Sequence, residues 1–424
     1  MEEKFLHFVW QYQYINKPLK TTDGEPIVVH KTGHANSDAG PDFLGAQVEI
    51  GGLTWAGNVE IHVKASDWYA HSHDSDPGYE NAILHVVWEN DKKVKRPNGT
   101  LIPTLSLKNQ LDPLIYDRYK RLIKSGLSVP CEKQVREIDK FTKILTLEKV
   151  VMERLITKSQ LVNELVAHNN GDWEESAYQL LAKTFGFKVN SDQFLDLAQS
   201  IKLKKILTLS DDLSKVEAFF FGQAGFLEGE LLDDYQTKLK NEYAFLTHKH
   251  QISPRLSMHQ WKFLRLRPAN FPTIRIAQFS KLLFSVRNLF SWVIETNQYK
   301  DILKQLKVSQ SNYWKANYRF GLPANGKIAA LGKSSAENVI INAIIPMLVA
   351  YGKSIDDDSY VERAVSFLQE IPSENNKITR LWEGLDWPSG NSFDSQGMIQ
   401  LYNEYCQKRR CLSCNIGMKI IRPV

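Results

Sequence analysis

The spacing of apolar residues changes once along the chain, and this change limits the possible folds most strongly. From about residue 26 to 110 the apolar residues come in short alternating or continuous runs, which predict strands. After Cys131 they recur every three or four residues almost to the end, which predicts helices. We therefore expect an α+β protein, with an α/β module containing a mixed sheet at residues 1–130 and a large, mostly α-helical domain at residues 131–424.

Individual elements follow from the same patterns. The first part predicts a helix within residues 1–15, a short helix near Trp68, and strands at 27–30, 46–50, 54–63 and 82–88. The continuous apolar run at 82–88 is typical of a strand buried on both faces. The second part predicts helices at 145–165, 173–186, 193–201, 215–227, 231–246, 276–295, 297–306 and 334–351. Pro254, Pro268 and Pro272 predict linkers between helices.

Composition excludes several classes of protein. The chain is 43% hydrophobic and 24% charged, as in ordinary globular proteins, and its formal charge of +5 permits an anionic partner without requiring one. The acidic start of the chain lacks the pattern of a secretory signal, and no run of about 18 apolar residues predicts a membrane span. We therefore expect a cytoplasmic protein, in which cysteines are thiols or metal ligands rather than disulfides.

Histidines and carboxylates are concentrated in the first part. Six of the eleven histidines lie between positions 30 and 85: His30, His34, His62, His71, His73 and His85. Imidazoles and carboxylates bind divalent metals, and imidazole also exchanges protons near neutral pH. His71 and His73, with His34, form a candidate ligand site for a metal such as Zn²⁺, although histidines in an exposed loop often have no role. His85 lies inside an apolar run, which favours a hydrogen-bonded core histidine.

Asp42 and Glu60 form a second candidate site. Asp42 follows Gly40-Pro41 at the start of a predicted strand, and Glu60 lies on the next strand with His62 and Lys64 on its face. Two carboxylates at that position would hold one Mg²⁺ or Mn²⁺, which lowers the pKa of a bound water. The alternative is a solvent-exposed polar face without a function.

This arrangement resembles the PD-(D/E)XK nuclease superfamily. Its pattern is a helix, a hairpin bearing Asp, Glu-x-Lys on the next strand, then a helix and a further strand; here the matching residues are Pro41-Asp42 and Glu60-Ile61-His62. The resemblance implies metal-dependent hydrolysis of DNA or RNA, with Asp42 and Glu60 as metal ligands. The chain departs from the family at the catalytic Lys position, which is His62. At this position His62 could orient or deprotonate the water or bind the metal directly, and Lys64 on the same strand face could take the place of the family's lysine.

The whole chain also resembles an uncharacterised bacterial family of the domain-of-unknown-function kind, typical of Bacteroidetes. The segments that carry this likeness are residues 40–43, 60–63, 84–87, 267–272 and 411–414. This resemblance implies a grouping and no activity.

Four cysteines form a possible ligand set. Cys406-x4-Cys411-x2-Cys414 places three thiols near the chain end, and Cys131 follows the first module. Four thiols can hold tetrahedral Zn²⁺ or a [4Fe–4S] cluster, and either would fix the chain end against the first module. The alternative is that Cys131 is an ordinary buried thiol.

Residues 261–275 mix aromatic side chains with Arg265, Arg267 and Arg275, a composition that suits nucleic-acid binding and equally suits pairing with an acidic segment. Gly332-Lys333-Ser334 is not a phosphate loop, because Lys327 stands where the motif needs glycine. Three functions therefore stay open: a metal-dependent nuclease, an inactive nuclease-like module that binds nucleic acid or protein, and a metal-dependent hydrolase of another substrate. The oligomeric state does not follow from the sequence.

Overall fold

The computed structural model describes residues 1–209, 211–252 and 255–422, so that Pro254 lies outside the described residues. The chain divides into two compact units. The first comprises Met1–Leu147, Leu385–Trp387 and Gln400–Val424, and the second comprises Glu148–Gly384 and Pro388–Ile399. The described end of the chain therefore belongs to the same unit as Cys131.

A mixed sheet forms the centre of the first unit. Its seven strands, in the described residues, are β1 (Leu19–Lys20), β2 (Pro26–Lys31), β3 (His34–Ala35), β4 (Phe43–Ile50), β5 (Leu53–Lys64), β6 (Ala82–Glu89) and β7 (Thr104–Ser106). The spatial order is β1-β2-β4-β5-β6-β7, with β3 pairing to β4. Strand β4 pairs antiparallel with β2 on one side and with β5 on the other. A tight Gly51-Gly52 turn joins β4 to β5. Strand β6 is parallel to β5, and β7 is parallel to β6.

Helices cover this sheet and position the segment between β5 and β6. In the part of the first unit that precedes the second unit, the described α-helices are α1 (Glu3–Gln11), α2 (Asp67–Ala70), α3 (Pro113–Ile123) and the start of α4 (Lys140–His168). Helix α1 packs on β5 through an apolar face that buries Phe5, Leu6 and Val9. Trp68 of α2 is fully buried, and its indole N–H donates to the Lys95 carbonyl at 3.0 Å. Burying a tryptophan fixes the loop that follows α2, since it removes a large apolar area from water.

The second unit is almost entirely helical. Its helices after α4 are α5 (Trp173–Phe185), α6 (Ser191–Gln199), α7 (Leu203–Leu207), α8 (Leu213–Gln223), α9 (Asp234–His250), α10 (Pro272–Ser285), α11 (Leu289–Glu295), α12 (Tyr299–Leu306), α13 (Asn312–Ala316), α14 (Lys333–Val339), α15 (Ile345–Ser354), α16 (Ser359–Glu370), α17 (Lys377–Glu383) and α18 (Ser392–Gln400). A hairpin of β8 (Asn317–Arg319) and β9 (Leu322–Pro323) interrupts them. In the first unit, α19 (Asn415–Ile421) follows the terminal cysteines.

One helix has the length and composition of a membrane span. It runs from Lys333 to Ser354 through a π-helical turn at Ile340–Ile344, with a mean hydropathy of 1.3. However, 72% of the most apolar stretch of this helix is buried inside the protein. This burial is what a core helix of a globular domain requires.

The predicted fold class is confirmed, with an N-terminal mixed sheet followed by a large helical region. One predicted helix is wrong in its bounds, because residues 276–295 divide into α10 and α11. The reason is a contact from α5: the Glu174 carboxylate accepts the backbone N–H of Phe290 at 3.0 Å and of Ser291 at 3.1 Å. A carboxylate at those free N–H groups starts a new helix there.

Candidate metal centre

Asp42 and Glu60 lie side by side on adjacent strands. Asp42 directly precedes β4, Glu60 lies on β5, and the two strands pair through Phe43 and Val59. The Asp42 N–H donates to Glu60 Oε2 at 3.0 Å, and the Ile61 N–H donates to Asp42 Oδ2 at 2.9 Å. Each carboxylate is therefore fixed by the backbone beside the other one.

His62 shares the face of Glu60, because side chains two residues apart on a strand point the same way. His62 Nε2 lies 3.4 Å from Glu60 Oε1, and the two side chains are almost completely buried. Lys64 is exposed, and its charge acts on Asp91. The polar face of β5 is therefore buried at Glu60 and His62, and it reaches solvent at Lys64.

The loop after α2 brings two more imidazoles to His62. His71 Nδ1 lies 3.1 Å from His62 Nε2, and His73 Nε2 lies 3.2 Å from Glu60 Oε1. Between them, Ser72 has a left-handed backbone with φ of 62°, which turns both histidines toward one centre. One ligand atom from each of His62, His71 and His73 lies within 4.8 Å of the others.

Aromatic rings enclose the inner side of this group. The His73 ring stacks on Tyr79 with centroids 3.8 Å apart, and it meets the edge of Trp68. His73 is 8% exposed, whereas His71 stands at the surface. The centre is therefore closed toward the sheet and open at His71.

His85 supports His62 from the neighbouring strand. In the parallel register, Glu60 pairs with His85, and His62 Nδ1 lies 2.9 Å from His85 Nε2. If His62 Nε2 presents a lone pair to the centre, its proton is on Nδ1 and donates to His85. The prediction of a hydrogen-bonded core histidine at His85 is confirmed, since it is fully buried.

Burial dominates the electrostatics of the site. It raises the pKa of Glu60 to about 9, with a further contribution from the neighbouring Asp42 charge. It lowers the pKa of His62 to about 4, assisted by His73 and His71, and that of His85 to about 3. Burial and the neighbouring His71 also lower the pKa of His73. Neutral imidazole is the form of histidine that binds metals.

Three of the six distances among these four groups are close to the spacing of ligand atoms around a tetrahedral ion. Zinc bonds of about 2.0–2.1 Å to nitrogen and oxygen place tetrahedral ligand atoms about 3.3 Å apart. The three pairs described above, His62–His71, His62–Glu60 and His73–Glu60, are separated by 3.1, 3.4 and 3.2 Å. Three nitrogens and a carboxylate oxygen suit Zn²⁺ and similar metals better than Mg²⁺, which prefers oxygen alone.

Sequence reasoning missed the contribution of α1. His7 Nε2 lies 3.3 Å from Asp42 Oδ2, and the exposed Glu3 interacts electrostatically with both residues. The available signal was a Glu–His pair four residues apart on a helix whose other residues are mostly apolar. His34, which was predicted as a possible ligand, is exposed on β3.

The four cysteines lie close together in the first unit. Each is 9% exposed or less, and Cys131 and Cys411 have pKa values raised to about 12, mainly by burial. The other thiols add to this effect: Cys414 and Cys411 act on Cys131, and all three act on Cys406. In the described part of the chain, the cysteines do not form a set of ligand atoms within 4.8 Å, which the three histidines do.

The terminal segment is also bound to this unit by polar contacts. The Arg409 guanidinium donates to the Leu127 carbonyl at 2.9 Å, and Arg118 donates to the Arg422 carbonyl at 2.6 Å. Of the three arginines predicted to bind nucleic acid, Arg265 and Arg267 are exposed in the second unit, whereas Arg275 is buried there.

Fold and site define a class: a two-unit α+β protein whose first unit carries a cluster of three histidines that could hold a metal ion. The family model described as "Protein of unknown function (DUF2851)" matches residues 3–377, and the chain belongs to that family. No curated protein and no solved structure matches the chain.

Proposed function

We propose that the chain is a metal-dependent hydrolase whose metal is held by His62, His71 and His73, with Glu60 beside them. The convergence of three imidazoles on one point carries this proposal. Scattered surface histidines do not share a centre, and these three are joined to a buried carboxylate and a supporting histidine, His85.

In this proposal, different side chains around the metal position assist different parts of the hydrolysis reaction. A divalent cation in this pocket would supply Lewis acidity and would lower the pKa of a coordinated water. Glu60 is positioned to hold that water or to accept its proton, because its Oε1 faces two of the imidazoles. Asp42 and His7 lie next to Glu60 on the side of α1, where they can orient a substrate. The exposed side at His71 is the entrance.

We propose a phosphodiester of DNA or RNA as the substrate. Support comes from the order of elements: α1, the β4–β5 hairpin with Asp42 and Glu60, the short helix α2, and the parallel strand β6. This is the order in the PD-(D/E)XK pattern. A second candidate is hydrolysis of another substrate, which is favoured by the nitrogen-rich donor set, since nucleases of that pattern hold their ions with carboxylates.

Metal analysis and a cleavage assay on the purified full chain test these proposals together. We expect about one equivalent of a transition metal bound to the wild type, and cleavage of single- or double-stranded nucleic acid after addition of Mn²⁺ or Zn²⁺. His73→Ala should lose both properties. His30→Ala is the matched control, because His30 is an exposed histidine of the same unit that pairs with Glu49 at 3.4 Å.

The outcomes separate the candidate functions. Metal binding without cleavage of any nucleic acid favours the second substrate class. Nucleic-acid binding without metal or cleavage favours an inactive binding module. Cleavage that survives in His62→Ala would contradict the assignment of this centre, whereas partial activity in His62→Lys would support the resemblance to the Glu-x-Lys pattern.

We also propose that Cys131, Cys406, Cys411 and Cys414 hold a structural zinc ion or a [4Fe–4S] cluster. What supports this is the burial of all four thiols in one unit, where Cys131, Cys411 and Cys414 all contribute to the raised pKa of Cys406. Anaerobic purification with absorption spectra and metal analysis distinguishes the two, because a cluster absorbs visible light and zinc does not. A wild-type protein that contains neither iron nor zinc above the content of Cys131→Ser would contradict the proposal.

A further inference from the structure

Arg275 of α10 is a buried cation in the second unit. Its residue is 5% exposed, and its guanidinium donates to Gln278 Oε1 at 2.8 Å, Asn270 Oδ1 at 2.6 Å and Ser335 Oγ at 3.2 Å. All three acceptors are neutral. The guanidinium lies 4.5 Å from the centre of the Phe187 ring, and its buried Nε has no hydrogen-bond partner in the part of the chain that the structure describes.

Among the described residues, no opposite charge compensates this cation. Burial lowers the pKa of Arg275 to about 10, and no carboxylate among the described residues opposes the effect. Buried charges in proteins are normally paired, since an isolated charge is costly to remove from water. An unpaired buried arginine with a free donor therefore indicates a site for an anion.

The space for such an anion is present. Arg275 and Ser335 line a cavity of about 180 Å³, together with Phe187 and Asn190. A second cavity of about 590 Å³ shares Phe187 and Ser335 with the first. The other polar side chains of the second cavity are Ser334, Glu337, Asn338, Ser373, Glu374, Asn375 and Ser392.

We propose that these two cavities bind a sugar phosphate, with its phosphate on Arg275 and Ser335 and its hydroxyl-bearing part in the larger cavity. The planar guanidinium matches a phosphate better than a point charge does. Glu337 and Glu374 line the larger cavity, so the negative charge of the ligand belongs at the Arg275 end. Carboxylates, amides and hydroxyls at the other end suit the hydroxyl groups of a sugar.

Titration of the full chain with inorganic phosphate and with ribose 5-phosphate tests the proposal. Binding is measured by calorimetry at constant ionic strength, with sodium chloride as the reference salt. We expect saturable binding of both ligands, with ribose 5-phosphate at least tenfold tighter, because it also occupies the larger cavity. Absence of saturable binding, or equal affinity for the two ligands, would overturn the proposal.

Variants locate the site. Arg275→Met removes the charge at similar volume and should abolish binding of both ligands. Arg319→Met is the matched control, since the Arg319 guanidinium stacks on Phe263 at 3.7 Å in the same unit and lines neither cavity. Ser335→Ala provides a milder change if Arg275→Met does not fold, and it should weaken ribose 5-phosphate binding about tenfold. Wild-type affinity in either cavity variant would place the phosphate elsewhere and refute the assignment.

Discussion

Glu217 of α8 makes the stability of the helical unit depend on pH. Its side chain is fully buried, and its Oε2 accepts from the Tyr235 hydroxyl and from Ser311 Oγ, the latter at 3.2 Å. Burial is the largest effect on this carboxyl, and it raises the pKa from 4.5 to about 7, although these hydrogen bonds and the Trp314 indole oppose it. The folded chain therefore keeps a proton that the unfolded chain has released across this interval.

The size of the effect follows from linkage. One pKa unit corresponds to about 1.4 kcal/mol, so a shift from 4.5 to about 7 corresponds to about 3 kcal/mol. Because the folded pKa is raised, this stability is present below the unfolded pKa and is lost as the pH rises through the folded pKa. We expect the free energy of unfolding to fall between pH 4.5 and about 8, at a slope no steeper than about 1.4 kcal/mol per pH unit.

Glu217→Gln isolates this contribution. The amide cannot ionise, and its carbonyl can accept the same hydroxyl bonds, so the variant should gain about 3 kcal/mol relative to the wild type between pH 4.5 and 8. Urea unfolding followed by circular dichroism at five pH values measures the difference. Glu230→Gln, at an exposed position of the same unit, removes an equal charge without burial and is the control. A stability difference between the wild type and Glu217→Gln that stays constant with pH, or that changes in the opposite direction, would refute the reasoning.

Substitutions at three further positions test the histidine site and the terminal segment that carries the cysteines. His85→Gln should weaken metal binding about 10- to 100-fold in a chelator competition, because it alters the contact with His62 Nδ1; unchanged affinity would reduce His85 to a packing role. Ser72→Gly should keep the metal affinity of the wild type, whereas Ser72→Val should lower it, because a branched side chain is strained at a φ of 62°. Equal metal content in the two variants would argue against a role for this turn. Gly417→Ala should destabilise the terminal segment by about 1–3 kcal/mol, because its Cβ would lie 2.2 Å from the Cys411 carbonyl oxygen; wild-type resistance to limited proteolysis would contradict this.

Local patterns were sufficient to predict most of the fold. Alternation along 54–63 and the continuous apolar run at 82–88 correspond to β5 and β6, and the helical spacing after Cys131 corresponds to the helices from α4 to α19. Alternation also placed Glu60 and His62 on one face of β5. Local patterns do not determine the break between α10 and α11, which depends on Glu174 at a distance of more than a hundred residues along the chain. The return of the chain end to the first unit is a long-range property of the same kind.

The composition of the candidate centre depended on a loop that has no periodicity. Whether His71 and His73 are ligands or surface residues is decided by the backbone of Ser72 and by the burial of Trp68, and neither can be derived from spacing. The sequence therefore identified the imidazoles and carboxylates as candidate ligands, but it did not show which of them lie together in one site. Asp42 and Glu60 are adjacent as expected, and the imidazoles stand against the same carboxylate.

Counting donors and acceptors shows what the proposed metal ion would change among His62, His71 and Glu60. A neutral imidazole has one donor and one acceptor, and His62 already uses Nδ1 for its contact with His85. Its Nε2 faces both His71 Nδ1 and Glu60 Oε1, and its single lone pair can accept a hydrogen bond from either His71 or a protonated Glu60. The proposed cation would satisfy the lone pairs of the imidazoles and of the carboxylate at once, and it would favour the ionised form of Glu60 that burial disfavours. The proposed cation would therefore take the place of these hydrogen bonds as the partner shared by His62, His71 and Glu60.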